Sequence, residues 1–468
     1  MESAILTASP YRGHRAFGYN PDMVRRSSAL VFVLLLAGCS GGGGSATSAI
    51  VPAPIATAIP RARTLQSTFK HVILIVQENR SVDNLFNGFP GADTLPYGID
   101  HNGAHVPLAS IGLGDGGDID HSHRGWLREY NKGKMNGFDR TTSGTFFKNT
   151  PEHPAPAFAA VPRSQTVPYW DMASQYTFSD RFFQSNSGPS FPAHLYLIAG
   201  GSKLAAENPS DNQWNCTSRP GASVDILDPV DPEVYIGTGK PCTDAHTLGD
   251  ELDEAARSWR YYAPTSDTTS TGGIWSAYAS IPHIRFGADW SKNVITPETT
   301  VLDDIAAQNL PDVSWVVPNF INSDHAGFGS ATGPDWVAAI VNAVGTSGYW
   351  QDTAIFVLWD DWGGWYDHVK PPQLDSMGLG FRVPLIAISA YSRGHYVSHN
   401  QYEFGSLLRF IEDDFHLQAL SASDARAAVP LDLFDFASPA RIFVPIATSH
   451  SAQYFRRAQS RVNRDPDD

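Results

Sequence analysis

Two short apolar runs, each ending in oxygen-bearing side chains, constrain this chain more than any other feature. Residues Ala354 to Trp359, AIFVLW, have the length and branched content of a strand buried on both faces, and Asp360 and Asp361 follow at once. Residues His71 to Val76, HVILIV, form a second run of the same type and lead into Gln77, Glu78, Asn79 and Arg80. In an open α/β sheet, ligands sit beyond the carboxyl ends of the strands, so both polar ends belong where a cation and its substrate meet. Gly363 and Gly364, just behind the Asp pair, allow close backbone approach. Two adjacent carboxylates repel unless a cation offsets their charge. Glu78 and Asn79 add a carboxylate and an amide oxygen, completing an oxygen set that suits a hard cation or zinc. The plainer alternative is a pair of solvated turns, with Ser81 capping a short helix VDNLF.

At these residues the chain resembles a known family. The blocks HVILIVQENRSVDNLF and FVLWDDWGGWYDHV, with GPSFPAHLYLIAG and NSDHAG between them, are similar to the bacterial phosphoesterase family of acid phosphatases and non-haemolytic phospholipases C. That family belongs to the alkaline-phosphatase-like superfamily. The resemblance runs from about Phe69 to about Leu417, with the motifs in the expected order. It implies an α/β fold with an alkaline-phosphatase-like core, a mostly parallel sheet flanked by helices, and loop-rich insertions. It also implies a hydrolase acting on phosphoric ester bonds.

The resemblance assigns roles that the residues alone leave open. Ser190 stands between two prolines at the mouth of a helix, where unpaired N–H groups and the helix dipole favour an anion, although a simple N-cap reads the same way. The resemblance makes it the nucleophile. Asp118-Ile119-Asp120-His121-Ser122-His123 is a dense Asp/His block, from which the resemblance carries over His121 as facing substrate and His123 as second choice. Asp324 and His325 follow the strand-like VSWVVP; a His near the scissile bond can protonate the leaving oxygen, and a neighbouring Asp can orient the ring. His368 is expected to position phosphate and Asp367 to fix its turn. The phospholipase C branch usually has Asn-Arg where this chain has Ala193-His194, a departure that bears on phosphocholine-type specificity.

The expected mechanism is phosphoryl transfer through a phosphoserine, assisted by a divalent metal ion (calcium, magnesium, manganese or zinc) held by Glu78, Asn79, Asp360 and Asp361. Ser190 attacks, and His325 or His121 protonates the leaving alcohol. The substrate is a small phosphate ester or a phospholipid. A sulfatase-like esterase would need its own modifiable signature residue, and none of the three Cys lies at the Ser190 block. A non-catalytic phosphate-binding lipoprotein is the alternative from another class.

The remainder of the chain bounds the setting. Arg25-Arg26 precedes the nine apolar residues Ala29 to Ala37 and then Gly38-Cys39, the pattern of a bacterial lipobox, so residues 1–39 read as an extension and lipoprotein signal with its start at Met23. Cleavage before Cys39 and lipid on its thiol imply an exported, membrane-anchored protein. Residues 40–63, rich in Gly, Ser, Ala and Pro, read as a tether; 64–450 as the phosphoesterase domain with an insertion around 207–245; and 451–468 as a tail. A net charge of −15 argues against a nucleic-acid partner. Cys216 and Cys242 lie in that insertion, and an exported compartment permits a disulfide between them.

Overall fold

The computed structural model describes residues 65, 68–115, 117–141, 155–211, 213–265, 273–327 and 330–457. The expected start at Met23, the lipid-bearing Cys39, the tether before residue 64 and the end of the tail lie outside the described residues. Eight strands make one sheet: β1 His71–Gln77, β2 Thr177–Ser179, β3 Trp259–Tyr262, β4 Val294–Ile295, β5 Val313–Val316, β6 Thr353–Trp359, β7 Leu385–Ile388 and β8 Tyr396–Ser398. Their order is β4-β3-β5-β1-β6-β7-β2-β8. Neighbours are parallel except around β7, which runs antiparallel to both β6 and β2.

All seven residues of β6 are buried, and β1 is buried from Val72 onward. Covered on both faces, these strands read as continuous apolar runs rather than as alternation. Each fully buried Val, Leu, Ile or Phe in them contributes about 1.5–3 kcal/mol, so the centre of the sheet anchors everything attached to its ends. β1 and β6 pair in register, Gln77 opposite Trp359. Glu78–Arg80 and Asp360–Asp361 therefore emerge side by side at one end of the sheet.

Four helices matter to the site and its support: α1 His123–Tyr130, α2 Ser190–Ala199, α3 Gly333–Gly345 and α4 Phe404–Phe415. Every residue of α2 is buried, which explains a helix with few polar positions. Trp315 Nε1 of β5 donates to the Leu197 carbonyl at 3.1 Å, tying α2 to the sheet. The packed body continues past the expected boundary at 450: residues Ala452–Arg457 are helical, and Phe455 is buried against Trp336 of α3 with ring centroids 5.4 Å apart. In the insertion, Val224–Leu227 pairs with Tyr235–Gly239 as a hairpin, and a disulfide joins Cys216 to Cys242. Among the described residues, no helix is long and apolar enough to cross a membrane.

Candidate active site

The two strand ends are stitched together by their own backbone. Asp360 N–H donates to the Gln77 carbonyl and Arg80 N–H to the Asp361 carbonyl, each at 2.9 Å. Asn79 takes a left-handed conformation, φ 62°, and its N–H donates to Asp360 Oδ1 at 2.9 Å. Asn accepts that region more readily than most residues. Gly363, at φ 64°, passes so close beneath it that a Cβ there would stand 2.4 Å from the Asn79 carbonyl oxygen. The glycine is required by both the turn and the close approach. Trp362 of the same loop donates from Nε1 to buried Glu129 of α1 at 2.7 Å, and burial pushes that carboxyl well above the usual range.

Ser190 and His194 come to these strand ends from α2. Ser190 is fully buried at the first position of the helix, and its hydroxyl donates to Asp361 Oδ2 at 3.1 Å. The Phe191 N–H is already bonded to Asn208 Oδ1, and Pro192 has no N–H, so the helix start offers fewer donors to an anion than the sequence implies. His194 lies one turn further on, with Nε2 2.9 Å from Glu78 Oε1 and 3.7 Å from Asp360 Oδ2. Sequence reasoning noted His194 only as a departure from the phospholipase pattern. Its spacing of four from Ser190, which places both on one helix face, was the available signal.

The oxygen set fits a divalent cation. Asn79 Oδ1 and Asp360 Oδ2 are buried and accept no hydrogen bond among the described residues. Buried oxygens in that state are costly unless a cation or water meets them. By donor type and spacing, Glu78, His194 and Asp360 could hold a metal ion, as could Asp118, His121 and His325. In the second group His121 Nδ1 faces the Ile119 carbonyl at 2.7 Å and Asp118 Oδ1 at 3.2 Å, while Nε2 meets Asn79 Nδ2 at 3.0 Å. His325 donates from Nδ1 to the Ala326 carbonyl at 2.8 Å, and its ring lies 6.2 Å from that of His121. The sequence-derived residues Glu78, Asn79, Asp360, Asp361, Ser190, His121 and His325 are thus linked into one region through Asn79 and the two strand ends.

Three other residues of the sequence reading, His123, Asp324 and His368, make their hydrogen bonds to groups of the protein itself. His123 is fully buried, with Nδ1 2.7 Å from the Ser187 carbonyl and Nε2 2.7 Å from the Pro232 carbonyl, so it joins the Ser190 loop to the insertion. Asp324 accepts from Tyr169 Oη at 2.7 Å and Trp359 Nε1 at 3.1 Å beneath the site. Burial pushes its pKa up to about 6 against the pull of Tyr169 and Arg80. Its carbonyl receives Arg80 Nε and Nη2 at 2.9 and 2.7 Å. His368 sits between Asp83 and Asp93, at 2.6 Å from Nδ1 and 3.0 Å from Nε2. Burial lowers the pKa of His368, but Asp83 and Asp367 outweigh it and raise the value above the ordinary one. Asp83, Asp367 and His368 could by donor type hold a metal, yet buried Arg382 already reaches Asp367 from Nε at 2.8 Å and Nη2 at 3.0 Å. A guanidinium supplies the positive charge that this group needs.

A family model described as the phosphoesterase family matches residues 69–418, well over half of the chain. The class of protein is a hydrolase acting on phosphoric ester bonds, built on a mostly parallel α/β sheet. The chain belongs to the phosphoesterase family. It is 26% identical to phospholipase C B of Mycobacterium tuberculosis over 79% of this chain and 78% of that relative. It is likewise 26% identical to the non-hemolytic phospholipase C of Pseudomonas aeruginosa, over 87% of this chain and 63% of that relative. A solved structure of a protein in the alkaline phosphatase superfamily from Vibrio parahaemolyticus overlaps 79% of this chain and 72% of its own, at TM-score 0.39 and 8% identity.

Proposed function

We propose that this hydrolase works by metal-assisted phosphoryl transfer through a phosphoserine at Ser190. The observation that carries the reading is the 3.1 Å hydrogen bond from Ser190 Oγ to Asp361 Oδ2, which aims the hydroxyl and provides a carboxylate for its proton. Glu78, Asn79, Asp360 and Asp361 would hold a divalent cation. When bound, that charge lowers the pKa of the Ser190 hydroxyl and neutralises phosphate oxygens.

Ser190 Oγ forms the new bond to phosphorus while the bond from phosphorus to the ester oxygen breaks, and the electron pair leaves with that oxygen. His325, with His121 as the alternative, gives the leaving alcohol its proton. Because Nδ1 of His325 donates to the Ala326 carbonyl, Nε2 is the nitrogen that carries the transferred proton. Water then attacks the phosphoserine and the same imidazole takes the water's proton; the bond from phosphorus to Ser190 Oγ breaks, its electron pair goes to Oγ, Asp361 returns the proton to that oxygen, and the phosphate product leaves.

Similarity to bacterial phospholipases C supports a phospholipid diester as substrate. Ala193-His194, where that branch usually has Asn-Arg, counts against a phosphocholine headgroup. Export with a lipid on Cys39 belongs to the same reading and rests on the basic pair, apolar core and lipobox.

The test is hydrolysis of a chromogenic phosphomonoester and a chromogenic phosphocholine diester by the full chain, before and after chelation, with Ser190→Ala alongside. Turnover of one substrate that chelation abolishes and a divalent cation restores, together with no turnover in Ser190→Ala, is the expected result. Near-normal rates in that variant would refute the nucleophile, and rates indifferent to chelation would refute the metal. No turnover of either ester by folded, metal-loaded protein would favour the non-catalytic alternative.

A further inference from the structure

The geometry points to His194 as a direct nitrogen ligand of the cation at the strand ends, making the site a mixed nitrogen and oxygen site rather than an all-oxygen one. This inference rests on the metal reading above.

Three observations converge on it. First, His194 Nε2, Glu78 Oε1 and Asp360 Oδ2 face one another, with Nε2 2.9 Å from the glutamate oxygen and 3.7 Å from the aspartate oxygen. With metal–ligand bonds of about 2.1 Å, neighbouring donors around one ion stand about 3.0–3.4 Å apart, so the two distances bracket a coordination edge. Second, Asp360 Oδ2 accepts no hydrogen bond among the described residues although it is buried. Third, the imidazole has nowhere to withdraw. Its side chain is 3% exposed, on a helix whose ten residues are all buried. A cation between Nε2, Glu78 Oε1 and Asp360 Oδ2 would meet all three donors at once.

A nitrogen ligand moves the preference from calcium and magnesium, which favour oxygen-only shells, toward zinc and the later transition metals. It also gives the departure at Ala193-His194 a physical role: where the related branch carries a cation, this chain carries a ligand.

The experiment uses the full chain stripped with chelator. Zn²⁺ and Ca²⁺ are titrated calorimetrically into wild type and His194→Asn, and the Mn²⁺-loaded proteins are examined by electron spin-echo envelope modulation for coordinated ¹⁴N. One Zn²⁺ per chain bound more tightly than Ca²⁺, imidazole modulation in wild type, loss of that modulation in the variant and Zn²⁺ affinity about 10- to 100-fold lower are the expected results. His194→Gln, which retains more of the buried volume, is the second variant, and unfolding of the chelated proteins checks that each folds. Stoichiometric metal without imidazole modulation, or modulation that survives in a folded variant, overturns the ligand assignment and leaves the metal reading intact. Absence of stoichiometric metal in wild type overturns both.

Discussion

Replacing Gly363 by Ala should damage both the stability of the fold and its proposed cation site, in a manner that the structure apportions. Gly363 has φ 64°, where an L-residue with a Cβ is disfavoured by roughly 1–2 kcal/mol. The added methyl would also lie 2.4 Å from the Asn79 carbonyl oxygen and 2.7 Å from Asn79 Cβ. These are backbone and near-backbone atoms of a residue pinned by its N–H bond to Asp360 Oδ1, so the conflict is not relieved by turning a flexible side chain. Overpacking of this kind costs a further 1–3 kcal/mol or so, for a total of about 2–5 kcal/mol. Gly88→Ala is the internal control: its φ is 76°, and nothing lies within 4 Å of its Cβ position, so it meets only the backbone term. Urea unfolding of the two variants isolates the steric part. Ester hydrolysis and metal titration then report whether Asn79 has moved, since a displacement of about 1 Å in a catalytic constellation lowers rates on the order of 100-fold. Equal stability losses in the two variants, with unchanged hydrolysis in Gly363→Ala, would refute the claim that this glycine holds the two strand ends in register.

Other consequences are open to direct measurement. Glu298 is buried and holds its proton up to about pH 7, because burial outweighs the hydrogen bond from Asn319, whereas the unfolded chain releases it near 4.5. The folded state binds this proton more tightly, so stability falls by about 3 kcal/mol as pH rises through that interval. Glu298→Gln should flatten this part of the pH–stability curve, and an unchanged slope would contradict it. Opening the Cys216–Cys242 bridge, which spans 26 residues in sequence, should lower stability by about 3.5 kcal/mol on the chain-entropy account, read from unfolding with and without reductant. Arg382→Met should cost about 3–5 kcal/mol, because it leaves Asp83 and Asp367 buried without their guanidinium, while cation affinity at the Glu78 and Asp360 site stays at the wild-type value. A fall in that affinity would show the two charge clusters to be coupled.

Much of the site could be read from local patterns because its chemistry begins where strands end. The runs before Glu78 and Asp360 are covered on both faces, so their apolar continuity announces a central strand and the polar residues that follow announce a ligand end. Ser190 was legible as a helix start for a similar reason, since proline spacing and an apolar helix are properties of consecutive residues. Strand direction was not legible. Leu385–Ile388 is as apolar as its parallel neighbours yet runs antiparallel, because burial on both faces leaves the same pattern whichever way the backbone points.

The chain by itself thus determined which segments become buried strands and which carboxylates, serine and imidazoles stand at their ends. Both follow from hydrophobicity and spacing along a few residues. Tertiary structure alone decided which polar groups face each other. His123, Asp324 and His368 look as reactive in sequence as His121 and His325, but partners 64, 155 and 285 positions away absorb them into the framework. His194 becomes a candidate ligand only because the register of β1 against β6 and the seating of α2 bring Glu78 and Asp360 to it. The physical reason is that hydrogen bonding and charge act over a few ångströms in space, and only the closed fold brings residues so distant in the chain within that range.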